Sequence, residues 1–367
     1  MTSSIVPLTL RPQPLVSVVT PFFNTAQYLA ECIESVLVQN YSNFEYILLD
    51  NCSNDGSGEI AEAYARRDER IRVIRCAEFL PQLPNYNRAL SQISTASQYC
   101  KIVQADDVIS PDCLGLMVQV LERSESIGLV SSYWLWGNEL SGSGLPREIC
   151  TIPGRECARW FFRTGNSIFG TQTQVMYRSA LVRNQETFYN VCFGFADLQK
   201  CIEILEHWDF GFVHQVLSFS RVDEASILGK IQRFLPMDMM RYVIAQRYAP
   251  VFFEAEEAAS VVARFKREYY RCLARAALHV PDRAFWRFHR DGRTAIDKHL
   301  MFDWRYFISA LGAELLWLAS NPGSTAARAL RFVKKGRNPS SAILQSTDGA
   351  PSLTSLQDQN DESPVRG

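Results

Sequence analysis

The chain has 367 residues, 47% of them hydrophobic and 12% aromatic, which excludes a disordered polymer and supports a sizeable core. That length exceeds one ordinary domain, so one large domain with an appendage, or two domains, is expected. The net charge of −1 conceals an uneven distribution: residues 1–229 carry 17 basic against 25 acidic side chains (−8), residues 230–337 carry 20 against 10 (+10), and residues 338–367 carry 1 against 4 (−3). The basic segment suits anionic lipid, a phosphorylated acceptor, nucleic acid, or the chain's own acidic half. Ten scattered cysteines form no Cys-x-x-Cys pair, and five histidines lack metal-ligand spacing, so no zinc site is expected. The first ten residues lack a basic start and an apolar core. No secretory signal is therefore expected, and the cysteines read as thiols in a reducing cytoplasm.

Residues 1–13 read as a loose arm. Leu15–Thr20 is a β-branched run of strand length, expected to stop at Pro21. Leu29, Cys32, Ile33, Val36 and Leu37 then share one face of a helix. Phe44–Leu49 is a second strand, ending at Asp50, and Asn51–Gly58 is dense in turn formers before a helix over about 59–67. Ile71–Arg75 is a third strand. The loop holding Pro81 and Pro84 opens onto a helix near Asn85. Tyr99, Ile102 and Val103 mark the next strand, and a helix from Pro111 to about Ser124 follows, with Ser110 as its N-cap. Ile127–Trp136 and Phe210–Phe219 read as strands, as does Gln174–Tyr177, while residues 137–153 read as a loop. A helix opens near Asp197. Strands alternating with helices of this length predict a mostly parallel sheet covered on both faces.

From about Leu235 the pattern turns helical, over 237–278 and 304–319. Phe307–Ala319 is apolar nearly all round except for Glu314, and too short to span a bilayer. It is expected to be a buried helix, with a membrane-surface segment as the alternative. The Ser-, Gln- and Asp-rich stretch from Asn338 reads as a disordered tail. The domain expectation is 14–226, a basic helical region over 227–336, and a tail over 337–367.

The stretch Gln104-Ala105-Asp106-Asp107 follows the buried run Tyr99–Val103 and precedes a helix. Open α/β sheets bind ligands at such strand ends. Adjacent carboxylates repel one another, and hard oxygen ligands of this kind suit Mg²⁺ or Mn²⁺ carried in with a phosphate. The plain reading is a solvated acidic turn.

The surrounding residues decide between the two. Val16-Ser-Val-Val-Thr-Pro21-Phe-Phe-Asn24, Tyr28 to Tyr41, Tyr46-Ile-Leu-Leu-Asp50-Asn-Cys-Ser53-Asn-Asp55-Gly56-Ser57, Asn87-Arg88-Ala-Leu and Ala105-Asp106-Asp107 stand in the order found in family 2 nucleotide-sugar glycosyltransferases. Residues 14–115 resemble that family, and the likeness thins to Asp197 and Arg221 further on. The resemblance implies a GT-A fold and an inverting transfer from a nucleotide-diphosphate donor, most simply a UDP-sugar. The implied acceptor is a polysaccharide, O-antigen or lipid-linked glycan.

It also implies roles for individual residues. Pro21, Asn24, Tyr28, Asp50, Asn87, Arg88 and Asp106 would line the nucleotide-sugar site, with Asp50 on the base or ribose. Asp106, with Asp107, would hold a divalent cation, Mg²⁺ or Mn²⁺. Asp197 would be the catalytic base, and its plain reading is a first-turn helix acid. Arg221 would meet phosphates or acceptor, or serve only the surface. Three departures stand out: Gln104 replaces the first acid of Asp-x-Asp, Asn51 replaces a second acid after Asp50, and Tyr86 stands where an arginine is usual. A Rossmann reading of Gly56-Ser-Gly58-Glu-Ile-Ala61 fails, because no ribose-binding acid ends the next strand. A non-catalytic binder on the same fold is the remaining alternative, and no nucleic-acid motif is present. The expected location is cytoplasmic, with peripheral contact at the inner face of a membrane through the basic region.

Overall fold

Residues 13–189, 196–221, 234, 236–279, 283–296 and 300–321 are described by a computed structural model. The expected boundary at 226 and the tail over 337–367 lie outside them. Ten strands form one mixed sheet: β1 (Val16–Phe22), β2 (Phe44–Asp50), β3 (Ile71–Arg75), β4 (Tyr99–Ile102), β5 (Val108–Ile109), β6 (Ile127–Trp136), β7 (Glu139–Ser141), β8 (Thr151–Ile152), β9 (Met176–Arg178) and β10 (Asp209–Ser220). The order is β3-β2-β1-β4-β9-β6-β10-β5, with β7 beside β6 and β8 beside β10. The half from β3 to β4 is parallel, whereas β9 runs antiparallel to both β4 and β6.

Period-two alternation assigns side chains to opposite faces. Val16 and Val18 of β1 and Tyr46 and Leu48 of β2 enter one apolar cluster, with α1 (Ala26–Leu37) and α4 (Cys113–Leu121) packed over it. Val19, Ile47 and Leu49 point to the other face. There they meet α3 (Gln82–Leu90), α5 (Gly154–Thr164), α7 (Ala196–Ile204) and α8 (Pro236–Phe252). Between these lie α2 (Ser57–Ala65) and α6 (Ser179–Arg183), and α9 (Ala255–His279), α10 (Arg283–Ile296) and α11 (Trp304–Ser320) follow.

Several boundaries correct the sequence reading. β1 continues through Pro21, which pairs with Leu49, because its absent N–H lies on the β4 side, and the β1–β4 ladder stops at Val19 and Ile102. α3 starts at Gln82 rather than Asn85 and carries Pro84 in its first turn, where no intrahelical donor is needed. Asp112, not Ser110, is the N-cap of α4, since Ser110 is drawn into a turn against β10 through its N–H to the Leu217 carbonyl, and α4 ends at Leu121. Gln172–Gln174 forms a single 3₁₀ turn, so the strand expected from Gln174 begins only at Met176. The expected loop over 137–153 contains β7 and β8.

Neither α5 nor α10 was foreseen. α5 ties the helical region to the sheet: Arg159 Nε donates to the Phe252 carbonyl at 2.7 Å, Arg163 pairs with Glu257 at 2.8 Å, and Phe161 and Phe162 share one core with Phe252 and Phe253. α11 overturns the buried-helix expectation. None of its residues is buried. Among the described residues, no helix is long and apolar enough to cross a membrane.

Candidate functional site

The carboxyl ends of β1, β2 and β4 lie side by side. β1 is the shared neighbour, so the ends of β2 and β4 stand roughly 10 Å apart. Two non-glycine residues there adopt left-handed backbone, Asn24 (φ 52°) and Cys52 (φ 68°). Side chains stitch the two loops together. Asn24 Oδ1 accepts from the Asn54 N–H at 2.9 Å, Ser53 Oγ accepts from the Asn24 N–H at 3.0 Å, and Asp55 Oδ2 accepts from the Ala26 N–H at 2.9 Å. Asp50, 3% exposed, accepts from the Ser53 N–H through Oδ1 at 2.8 Å. A Cβ at Gly58 would stand 2.7 Å from both the other Asp50 oxygen and Arg75 Nη2, so that glycine leaves room for the Arg75 guanidinium beside the carboxylate. The polar turn residues therefore shape the loops, with Asp50 set at their base.

The acidic turn lies across β1. Its second carboxyl, Asp107, is 3% exposed, and its Oδ2 has no hydrogen-bond partner among the described residues. Burial first, and then the charge of Asp106, push the Asp107 carboxyl up to about 7, while the Thr173 and Ser220 hydroxyls and the Arg221 N–H hold it back. Asp106 is partly exposed, and its carbonyl accepts from Arg221 Nε at 2.9 Å. Arg221 also pairs with Glu31 at 2.5 Å and lies 4.9 Å over the Tyr28 ring. Tyr28 and Arg221 thus brace α1 against the turn.

Beneath the turn is a network that the sequence did not disclose. Gln104 Nε2 donates to the Tyr86 hydroxyl at 3.1 Å, and the Gln104 N–H donates to Thr173 Oγ1 at 3.0 Å. Gln174 is fully buried, accepts from the Thr171 hydroxyl at 2.7 Å and donates to the Ser218 and Ser220 hydroxyls at 3.1 Å. Buried Lys101 donates to the Thr173 carbonyl. Burial holds its ammonium below the usual lysine range, with Cys113 and Asp107 opposing. The available signal was the unusual Thr171-Gln-Thr-Gln174 run after Gly170.

Three successive residues of α3 reach three parts of the site. Tyr86 meets Gln104. Asn87 is committed on both sides of its amide to Tyr189, donating to its carbonyl at 2.8 Å and accepting from its N–H at 2.7 Å. Arg88 donates to Asn51 Oδ1 at 2.6 Å, to Asn85 Oδ1 at 2.9 Å and to the Glu78 carbonyl at 3.0 Å. Asn51 in turn holds Leu80 through both its amide atoms. Asn87 and Arg88 therefore position neighbouring chain. At the outer rim Phe23 and Phe79 meet edge to face, 4.8 Å between centroids, with both rings about half exposed.

Asp197 lies in the first turn of α7, partly exposed, with Oδ1 accepting from the Leu198 N–H at 2.9 Å. Burial pushes its carboxyl up to about 6, against the pull of the Leu198 N–H and its own. Gly194 lies outside the described residues. Among the described residues no group of three or more His, Cys, Asp or Glu could hold a metal. Asp106 and Asp107 provide two adjacent carboxyls, and the unpartnered Oδ2 of Asp107 is the kind of orphaned acceptor that a cation satisfies. The pair fits a divalent ion whose remaining ligands come from a phosphate.

The sequence profile described as Glycosyl transferase family 2 matches residues 17–185. The glycosyltransferase GlyG of Streptococcus pneumoniae is 33% identical over 120 residues, which is 33% of this chain and 39% of that protein. The chain thus spans about two fifths of the length of this curated relative. Among solved structures, S. aureus TarS 1–349 in complex with UDP-GlcNAc superposes with a TM-score of 0.57 at 17% identity, covering 78% of this chain and 82% of that one. The mannosyltransferase PcManGT of Pyrobaculum calidifontis, in complex with GDP-Man and Mn²⁺, gives 0.50 at 16% identity, covering 83% and 88%. Both likenesses concern the fold, the GT-A arrangement of a mixed sheet between helices with a helical C-terminal region. Residues 17–185, a little under half of the chain, thus carry the sequence pattern of glycosyl transferase family 2.

Proposed function

We propose that this chain is an inverting glycosyltransferase, moving a sugar from a nucleotide-diphosphate donor, a UDP-sugar foremost, to a hydroxyl of a polysaccharide, O-antigen or lipid-linked glycan. One observation carries the reading. Asp50 and the Asp106–Asp107 pair flank the same end of β1, with the Arg221 guanidinium on the Asp106 carbonyl. A nucleoside diphosphate needs a hydrogen-bond acceptor for its base or ribose at one end and charge compensation at the other. The exposed Phe23–Phe79 pair at the rim offers aromatic faces to the base.

Asp106, with Asp107, would hold a divalent cation, Mg²⁺ or Mn²⁺, which supplies charge neutralisation for the leaving diphosphate. Asp50 takes the nucleoside, and Arg221 adds a positive charge beside the phosphates. Asp197 removes the acceptor hydroxyl's proton as the acceptor oxygen bonds to the anomeric carbon and the diphosphate departs with the electron pair of the broken bond. A carboxyl titrating at about 6 is about ten to one ionised at pH 7 and still basic enough to assist. Asn87 acts one step back, holding Tyr189 through both sides of its amide.

A thermal-shift screen of nucleotide sugars, with and without Mn²⁺, tests the donor class, because a specific ligand stabilises by RT ln(1 + [L]/Kd). One nucleotide family should stand out, with a shift enlarged by the ion. Binding without hydrolysis or transfer would leave the non-catalytic reading, which Gln104 favours because its amide is tied to Tyr86 instead of supplying a second acid. No shift with any nucleotide sugar would sink both.

A further inference from the structure

α11 is a 17-residue helix whose two long faces are both apolar. At 100° per residue, Phe307, Ala310, Glu314 and Leu318 fall on one side, which packs along α9 with Glu314 paired to Arg275 at 2.8 Å. The adjoining arc, about 120° wide from Trp304 to Leu316, carries Trp304 (64% exposed), Leu315 (50%), Ile308 (64%) and Leu316 (72%), with Arg305, Gly312 and Ala319 among them, and Met301 (79%) precedes it. The single charge on that outer arc is Arg305. Soluble proteins rarely expose so continuous an apolar strip without a partner for it.

We propose that this outer face lies in the plane of an anionic lipid bilayer, with its apolar side chains inserted at the boundary of headgroups and acyl chains. Charge complementarity selects the occupant. The only acid of α11 is paired to Arg275, the single charge of the exposed arc is Arg305, and the sequence of residues 321–337 holds Arg328, Arg331, Lys334, Lys335 and Arg337 with no acidic residue. Basic residues beside an apolar helical face fit acidic headgroups, and Trp304 suits the polar boundary of a bilayer. The helix is too short to cross. A second copy of this chain would bring the same basic charge to the contact and repel.

The inference is independent of the sugar-transfer reading, because partition onto vesicles is measured without donor or acceptor. The full chain is mixed with phosphatidylcholine vesicles or with vesicles that also contain phosphatidylglycerol, and bound protein is followed by flotation. Binding should require phosphatidylglycerol, weaken as salt rises, and fall on the order of a hundredfold in the double variant Ile308→Asp with Leu316→Asp, about tenfold for each inserted side chain. Thermal melting of that variant should match the wild type, since neither residue is buried. If the pair misfolds, Leu316→Asp alone carries the test with about a tenfold loss. Equal binding to both vesicle types, or undiminished binding by the variant, overturns the proposal. So does a wild-type dimer that the variant dissolves and that vesicles do not recruit.

Discussion

Replacing Asp197 by Asn should make the protein more stable and inactive at once. Burial raises the carboxyl from an ordinary 3.8 to about 6, so holding it ionised at neutral pH costs folding about 3 kcal/mol at the upper bound. Solvent at its partly exposed edge reduces this to about 1–2 kcal/mol. Asn keeps an acceptor for the Leu198 N–H and removes the charge. The sign follows from linkage. Between about pH 4 and about pH 6 the folded state binds more protons at Asp197 than the unfolded state does. Wild-type stability therefore falls as pH rises through this window, and the cost is fully present above it. Scanning calorimetry of both proteins from about pH 4 to about pH 8 should show no difference at the acid end and a gain of about 2–6 °C in Tm for the variant at the neutral end. Sugar transfer should vanish while nucleotide binding persists. In the wild type, transfer should fall as pH drops through about 6. A variant less stable than wild type at neutral pH would mean that the carboxylate is a favourable first-turn acid. Near-normal turnover would place the base elsewhere.

Asp106→Ala should abolish transfer and remove the ion-dependent part of nucleotide binding, read by calorimetric titration with and without Mn²⁺; an unchanged ion effect would refute the ligand assignment. Asn87→Ala breaks two hydrogen bonds to Tyr189 and should cost about 1–3 kcal/mol in a urea melt, with a larger fall in kcat than in donor affinity. An affinity loss without a kcat loss would instead make Asn87 a donor ligand. Gly170→Ala should destabilise by about 1–3 kcal/mol or more, because the residue sits at φ 77° and a Cβ there would stand 2.5 Å from the Gln174 Cβ. A melt within about 0.5 kcal/mol of wild type would show that the Thr171–Gln174 turn relaxes freely.

How much the sequence disclosed follows from the range of the interactions involved. The parallel half, β1 to β4 with its helices, was legible because apolar periodicity and turn formers are local. Asp50 and Asp106 could be placed at strand ends for the same reason. The antiparallel half was not, since pairing β9 between β4 and β6 depends on residues far apart in sequence, and a three-residue strand has no period of its own. The amphipathic α5 is masked in the sequence, because the glycines and prolines just before it read as loop. Gln104 illustrates the limit at the site. An amide in place of an acid reads as a loss, and only the fold reveals that it joins Tyr86 to the Thr171–Gln174 turn. α11 departs from its expectation for a different reason. A helix apolar on both sides looks buried whenever one of those sides has a partner that the sequence does not specify.

The hydrogen bonds of α3 support a positioning role for Tyr86, Asn87 and Arg88 beside the expected ligand-binding one. Tyr86, Asn87 and Arg88 are consecutive, so their side chains leave the helix about 100° apart and cannot converge on one small molecule. They diverge to Gln104 beside the acidic turn, to Tyr189 ahead of α7, and to Asn51 and Glu78 beside Asp50. These destinations adjoin, in turn, the groups proposed for charge compensation, for proton removal and for nucleoside binding. On the proposed reading, one helical turn bonded to a neighbour of each group would fix their spacing. The proposed Asn87 and Arg88 roles are then best tested as spacing. Arg88→Lys keeps the charge but loses the fork that reaches Asn51, Asn85 and Glu78 together. It should raise the donor KM by loosening the loop that carries Phe79, with little change in the pH profile set by Asp197. If charge alone mattered, the lysine variant would bind donor as well as wild type.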